Sequence, residues 1–188
     1  MRNSTYRLKK DIELMGSQSF QNRCRYLKRW HFTRNRKMPL GKLILTTLFR
    51  KGRSLKIELK EFSKRLKNTE ISKVGYLKQR MKLNPQAFLE VAQFHAKQFY
   101  KDKIKLRKYK GYLIFACDGS DMNIPSTPEN RRKFHDSTKH GKYPHPQAGF
   151  SCIFDVLNRQ ICDCAVSYNK TSERIEALLH IKKRRNNL

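Results

Sequence analysis

The residue with the clearest chemical potential is Asp118, which follows an apolar run and precedes Gly119. The run, from Tyr112 to Cys117, predicts a strand that is buried on both faces in the middle of a sheet. A carboxylate that ends such a strand can bind a divalent cation through its oxygens. An Asp-Gly pair is also a common turn that needs no function, so the residue types alone leave both interpretations open.

A longer stretch around Asp118 resembles a known family. Residues 116–125, ACDGSDMNIP, are similar to the first catalytic strand of DDE transposases of the insertion-sequence-four group. The resemblance covers residues 35–181 and includes segments 71–73, 80–83, 144–148, 155–158 and 172–174, with Phe88 and Ser151. These segments follow one another in the family's order and spacing, so the resemblance implies DNA transposition as the function class.

The resemblance also implies a fold and a metal site. It implies an RNase H-like α/β domain, in which three antiparallel strands and a helix lead to a fourth strand. Asp118 would be the first of three acids that bind Mg²⁺, or Mn²⁺, in the intact family member. The family carries its second Asp on that fourth strand and its Glu on a later helix, and this sequence matches neither. Because two-metal cleavage of DNA needs several carboxylates, we expect a truncated transposase fragment that is inactive alone and binds no metal stably.

Other acids and histidines are weaker candidates for chemistry. Asp155 and Asp163 lie on the second and third expected strands, and we interpret both as structural. His135, His140 and His145 fall in the long stretch between the first two strands, and their spacing fits no metal-ligand pattern. A basic loop near DNA and a simply solvated loop both remain open for these histidines.

The charge of the chain indicates a polyanionic partner. There are 43 Lys and Arg residues against 15 Asp and Glu, a net charge of +28, of which +24 lies in residues 1–110. Such a surface is typical of proteins that contact nucleic-acid phosphates. No run approaches the ~20 apolar residues of a membrane span, and no secretory signal begins the chain. We therefore expect a cytoplasmic protein that binds double-stranded DNA and no membrane.

Helices are predicted upstream of Asp118 and strands around it. Periodicity over residues 17–110 indicates several short helices. Ser72 is the expected N-cap of one helix, whose inward residues are Val74, Leu77 and Met81. On its outer face lie the cations that we assign to DNA binding, Lys73, Lys78, Arg80 and Lys82.

The pattern changes after residue 110 to apolar runs that are typical of strands. Residues 150–157 and 161–168 are expected to form a hairpin, and a helix should begin at Ser172. The expected class is α+β, with a helical basic DNA-binding domain, residues 1–110, followed by an incomplete RNase H-like α/β domain, residues 111–188.

Two other functions are compatible with the same charge. The main alternative is a nonenzymatic DNA-binding regulator, such as a product that inhibits a full-length transposase by occupying its sites. An RNA-binding accessory protein is disfavoured, because the sequence lacks an RNP-like aromatic strand pattern. The expected partners are the DNA ends of the element, with a second copy or a full-length transposase as further candidates.

Overall fold

The computed structural model describes residues 4–26, 28–34, 37–65, 70–101, 106–137, 145–168 and 172–185. It divides into two compact units, Met1–Phe99 and Tyr100–Leu188. The first is helical and the second mixes strands and helices, so the class is α+β. The division falls earlier than residue 110, and Tyr100 belongs to the second unit, where its hydroxyl donates a hydrogen bond to Asp155 Oδ2 at 2.8 Å.

Helices make up the regular structure of the first unit. In the described residues they are α1 (Ser4–Gly16), α2 (Gln18–Arg23), α3 (Leu40–Leu48), α4 (Leu55–Arg65), α5 (Lys73–Arg80) and α6 (Gln86–Tyr100), of which only the last residue of α6 belongs to the second unit. One apolar core joins them, built around the fully buried side chains of Phe20, Leu40, Leu43, Ile44 and Tyr76. Burial of such side chains is the main stabilising contribution to a small helical unit.

Helix α5 begins where the sequence predicts, but it buries a different face. Ser72 Oγ accepts a hydrogen bond at 3.1 Å from the backbone N–H three residues later, which is the expected cap. Val74 and Met81, expected inside, are 60% and 77% exposed, whereas Tyr76 is fully buried. The Tyr76 hydroxyl also forms a hydrogen bond with Thr47 Oγ1 at 2.8 Å. The prediction was therefore wrong for Val74 and Met81, because the large ring of Tyr76 sets the rotation of the helix, whereas Leu77 packs against the core as expected.

A buried carboxylate organises the turn before α4. Glu58 accepts hydrogen bonds from the backbone N–H groups of Lys51 and Arg53, at 2.8 and 2.9 Å, and from Arg50 Nε at 2.7 Å. The bond from Arg50 is the largest cause that lowers the pKa of Glu58, and the two backbone bonds act in the same direction. The carboxylate thus holds a turn whose basic side chains lie at the surface of the unit.

The second unit is built on an antiparallel sheet. Its described elements are β1 (Phe115–Asn123), α7 (Pro128–Lys133), β2 (His135–Ser137), β3 (His145–Asp155), β4 (Gln160–Ser167) and α8 (Glu173–Arg185). Strand β3 is central, with β1 on one side and both β4 and β2 on the other. The β3–β4 hairpin and helix α8 form where the sequence predicts, although β3 spans His145–Asp155 and so begins five residues before the predicted strand of residues 150–157. Arg159 adopts a positive φ of 53° in the hairpin turn.

Strand β1 starts later than predicted. The backbones of Tyr109 and Tyr112 exchange two hydrogen bonds of 2.9 Å, which close a tight turn. The two central residues of the turn, Lys110 and Gly111, have φ values of 47° and 84°, as in a type I′ turn. The beginning of the apolar run is therefore used in a turn, and the strand begins at Phe115.

Strand β1 also ends later and is less buried than predicted. It continues through Asp118 and Gly119 to Asn123, so the Asp-Gly pair makes no turn. Among the described residues β1 pairs with β3 alone, and most of its side chains are exposed. The expectation of a central strand buried on both faces was wrong, because an apolar run does not show how many neighbours a strand has.

Helix α8 packs on the sheet through two polar residues and an alanine. His180 is buried and Glu176 and Ala177 are half-buried. The apolar residues Ile175, Leu178 and Leu179 are each more than half exposed. None of the helices in the described ranges has the length and apolar character that crossing a membrane requires.

Candidate nucleic-acid interface and the surroundings of Asp118

The cations assigned to DNA lie along one short segment of the first unit. Lys73, Lys78 and Arg80 are exposed on α5. Lys82, just beyond the helix, is half-buried, and its Nζ lies 3.5 Å from Gln79 Oε1. Three of the four side chains are therefore accessible to a ligand from solvent, and the fourth is partly so.

Carboxylates of the first unit are largely paired with cations of the same unit. Within its described residues, ion pairs join Lys10 to Glu13, Arg23 to Glu90, Arg50 to Glu58 and Arg53 to Glu61. The unit carries a formal charge of +19 in total. Since these acids are already engaged, the excess of Lys and Arg side chains determines the potential that a polyanion would meet.

Backbone hydrogen bonds join an irregular segment to the end of α5. The N–H of Tyr26 donates to the carbonyl of Lys82 at 2.9 Å, and the N–H of Asn84 donates to the carbonyl of Cys24 at 2.8 Å. Trp30 follows in this segment, and its side chain is 68% exposed. The two parts of the chain together line a cleft of about 530 Å³ that sequence reasoning did not identify. A single tryptophan in an irregular segment carries no periodic signal that would have revealed it.

Asp118 lies on the face of the sheet opposite α8. A Cβ added to Gly119 would lie 3.6 Å from Glu173 Cγ, so Gly119 faces α8. Because successive side chains of a strand point to opposite faces, Asp118 faces away from that helix. Its side chain is exposed, and Asp118 Oδ1 accepts a hydrogen bond at 2.9 Å from the N–H of Gly119.

Among the residues that the structure describes, Asp118 is not part of a group that could form a metal site. In the part of the chain that the structure describes, no group of three or more His, Cys, Asp or Glu side chains could hold a metal ion. A pair of Mg²⁺ ions needs several carboxylates around it. The described residues therefore do not fit the two-metal centre that the resemblance implies, and they support no metal-dependent step.

A second group of acids lies on the other face of the sheet. Asp121, Glu173 and Glu176 line a cleft of about 440 Å³ beside Gly119. Glu176 Oε1 accepts a hydrogen bond from Ser167 Oγ at 3.1 Å. Since these carboxylates lie on the α8 side, they do not complete a site with Asp118. Sequence reasoning did not single them out, although Glu173 and Glu176 are one helical turn apart.

The structural interpretation of Asp155 is supported by its contacts. Asp155 is fully buried, and its carboxylate accepts hydrogen bonds from the Tyr100 hydroxyl at 2.8 Å and from the backbone N–H of Asn158 at 3.0 Å. It thus joins the start of the second unit to the β3–β4 turn.

Asp163 forms part of a buried hydrogen-bonded chain. Asp163 Oδ2 lies 3.0 Å from His180 Nδ1, and His180 Nε2 lies 2.9 Å from Ser151 Oγ. The order of groups is that of a nucleophile, base and acid relay. Ser151 and His180 are only 2% and 4% exposed, and neither lines the cleft on the α8 side. Because a substrate has no access to the hydroxyl, the chain of contacts attaches α8 to the sheet.

The structure describes the backbone of two of the three histidines in the stretch after β1. His140 lies outside the described residues. His135 begins β2 and His145 begins β3, where it is exposed. Helix α7 and strand β2 occupy part of this stretch, so it contains less irregular chain than the sequence suggested.

Comparisons with protein-family models, with curated proteins and with solved structures found no match to this chain. Any function assigned to it therefore depends on its charge, its geometry and the resemblance around Asp118.

Proposed function

We propose that the chain is a transposase-type fragment whose first unit binds double-stranded DNA through the phosphates. The observation that carries this proposal is the +19 charge of a folded helical unit in which described carboxylates are already paired with cations. A surface with that much excess positive charge attracts a polyanion and releases its condensed counterions.

Helix α5 is the proposed contact element. Its exposed cations Lys73, Lys78 and Arg80 stand on a helix that Tyr76 fixes to the core. A rigid helix holds charged side chains at defined positions. Less conformational entropy is therefore lost when these side chains bind the phosphates of a DNA strand. These contacts position DNA without reading its sequence.

Replacing Lys78, Arg80 and Lys82 together by Gln should weaken duplex binding by roughly tenfold or more, because three phosphate contacts are removed. Fluorescence anisotropy of a labelled duplex at constant low salt measures the effect. The matched control replaces Arg131, Arg132 and Lys133 of α7 by Gln, which removes the same charge from the second unit. Equal losses in the two variants would show that total charge, not α5, determines binding.

The sheet order supports the transposase-type assignment of the second unit. Strands β1, β3 and β4 are antiparallel with β3 in the middle, and α8 follows them and packs on the sheet. Three antiparallel strands and then a helix are the elements that the resemblance leads one to expect for an RNase H-like domain. Asp118 lies on the first of these strands, where the family has its first acid.

This assignment predicts that the chain alone does not cut DNA. Because no group of three or more acids, histidines or cysteines that could hold a metal forms among the described residues, supercoiled plasmid should remain intact with Mg²⁺ or Mn²⁺. The Asp118→Asn variant should bind duplex DNA with unchanged affinity. Metal-dependent nicking that disappears in Asp118→Asn would contradict the prediction and would mean that other acids complete the site.

A nonenzymatic regulator is the second candidate. The observation in its favour is that Asp118 belongs to no group of three or more metal-ligating side chains in the described ranges, while the basic helical unit is complete enough to bind DNA. The exposed apolar residues of α8 offer such a regulator a surface for a second copy or a full-length transposase. Inhibition of an active transposase by this chain, beyond what competition for DNA explains, would favour this candidate.

A further inference from the structure

The Trp30 cleft combines an aromatic surface with polar and basic groups. Its lining includes Lys28, Trp30, His31, Arg34, Gln79 and Lys82, and its volume is about 530 Å³. Ligand sites generally occupy clefts of about 300–1,000 Å³ with aromatic walls and a few polar groups. Lys28 Nζ lies 5.4 Å from the centroid of the Trp30 ring, so a cation already stands over the indole.

The segment that presents Trp30 is held in an unusual conformation. The Thr33 hydroxyl donates to the Trp30 carbonyl at 2.9 Å, and the N–H of His31 donates to the carbonyl of Lys28 at 3.1 Å. Phe32 has a φ of 61°, which a bulky residue rarely adopts. Strain of this kind costs of order 1–3 kcal/mol and is found preferentially at ligand sites. Phe32 itself packs against the apolar core, so this conformation places Phe32 inward and leaves the indole of Trp30 exposed.

A polar atom of the cleft also lacks a protein partner. His31 Nδ1 is buried and has no hydrogen-bond partner among the described residues. Leaving a buried acceptor or donor unsatisfied costs about 1–3 kcal/mol. Because this atom is shielded from solvent, a ligand in the cleft can pair with it only if the imidazole of His31 turns toward the cleft.

We propose that this cleft binds an unpaired nucleobase of a DNA strand, which stacks on Trp30 while Arg34 and Lys82 contact its phosphates. The inference rests on the proposed DNA binding of the first unit and adds a site for single-stranded DNA to it. A base inside a duplex already stacks on its neighbours, so only an unpaired base can offer both faces to an aromatic ring. The amide of Gln79 lies in the same cleft, and amides recognise the hydrogen-bonding edge of a base.

Trp30 is the single tryptophan of the chain, so its fluorescence reports this cleft without background. Oligothymidine of about 12 nucleotides, which is within the range of single-strand site sizes, should quench Trp30 by stacking. A blunt duplex of the same length should leave the emission largely unchanged. Equal quenching by both, or quenching by neither, would overturn the inference.

Substitution tests the same site through affinity. Trp30→Leu should weaken oligothymidine binding roughly five- to 150-fold, and Trp30→Phe should restore most of the affinity, because one stacked base contributes about 1–3 kcal/mol. Phe49→Leu is the matched control, since Phe49 is also an exposed aromatic residue of the first unit but lies outside the cleft. Its affinity should equal that of the original chain.

A second substitution in the cleft tests the site independently in case Trp30→Leu disturbs folding. Far-UV circular dichroism shows whether each variant is folded. Gln79→Ala should weaken single-strand binding and leave duplex binding unchanged. If duplex binding is intact while neither Trp30→Leu nor Gln79→Ala alters oligothymidine affinity, the cleft inference fails alone. If the original chain binds neither form of DNA, the proposed function fails with it.

Discussion

Duplex DNA binding by this chain is expected to weaken by about three to five orders of magnitude when salt rises from roughly 50 to 200 mM. This range corresponds to about six to ten phosphate contacts, each of which releases counterions from the DNA. The +19 charge of the first unit supplies more cations than that number requires. Anisotropy titrations at four or five salt concentrations give the slope of log affinity against log salt.

The Lys78, Arg80 and Lys82 substitutions provide an internal check on this slope. Removal of each phosphate contact should reduce its magnitude by about one, so the triple variant should lose about three. A slope near zero in the original chain would rule out phosphate contacts as the source of affinity. If the original chain has a steep slope and the triple variant has the same slope, α5 is excluded as the contact element, and phosphate binding by other parts of the unit stands.

Tyr76→Ala should lower the free energy of unfolding of the first unit by about 3–5 kcal/mol, as large-to-small aromatic substitutions in cores do. Tyr76 is fully buried and connects α5 to α3 through the bond to Thr47. Trp30 emission during urea unfolding follows the first unit specifically, because the second contains no tryptophan.

Tyr76→Phe separates the ring from the hydroxyl. This variant keeps the buried ring and loses only the hydrogen bond to Thr47, so it should cost about 1 kcal/mol. Similar losses in both variants would mean that the hydroxyl, not the packed ring, fixes α5. Because the cations of α5 depend on that anchoring, Tyr76→Ala should also lose DNA binding as the temperature approaches its lowered melting point.

Local signals were sufficient to predict some elements and not others. The Ser72 cap and the β3–β4 hairpin depend on residues close in sequence, and both were predicted. The rotation of α5 depends on how Tyr76 fits among other helices, and the exposure of β1 depends on its neighbours in the sheet. Neither property is encoded in the periodicity of the segment itself.

The candidate sites likewise differ in whether they depend on neighbouring residues in the sequence or on tertiary packing. Asp118 could be singled out because its neighbours in sequence carry the resemblance. The Trp30 cleft joins segments that are distant in sequence through backbone hydrogen bonds, which leave no side-chain pattern. The link from Ser151 to Asp163 through His180 likewise depends on the docking of α8.

The outward apolar residues of α8 have a consequence for the colloidal behaviour of the protein. Ile175, Leu178 and Leu179 form an exposed apolar patch that favours self-association, whereas copies of the molecule repel one another through a net charge of +28. That repulsion reaches about 30 Å in 0.01 M salt but only about 3 Å in 1 M salt. Concentrated salt dissociates nucleic acid from a basic protein. It therefore also screens the repulsion that keeps the α8 helices of different copies from associating.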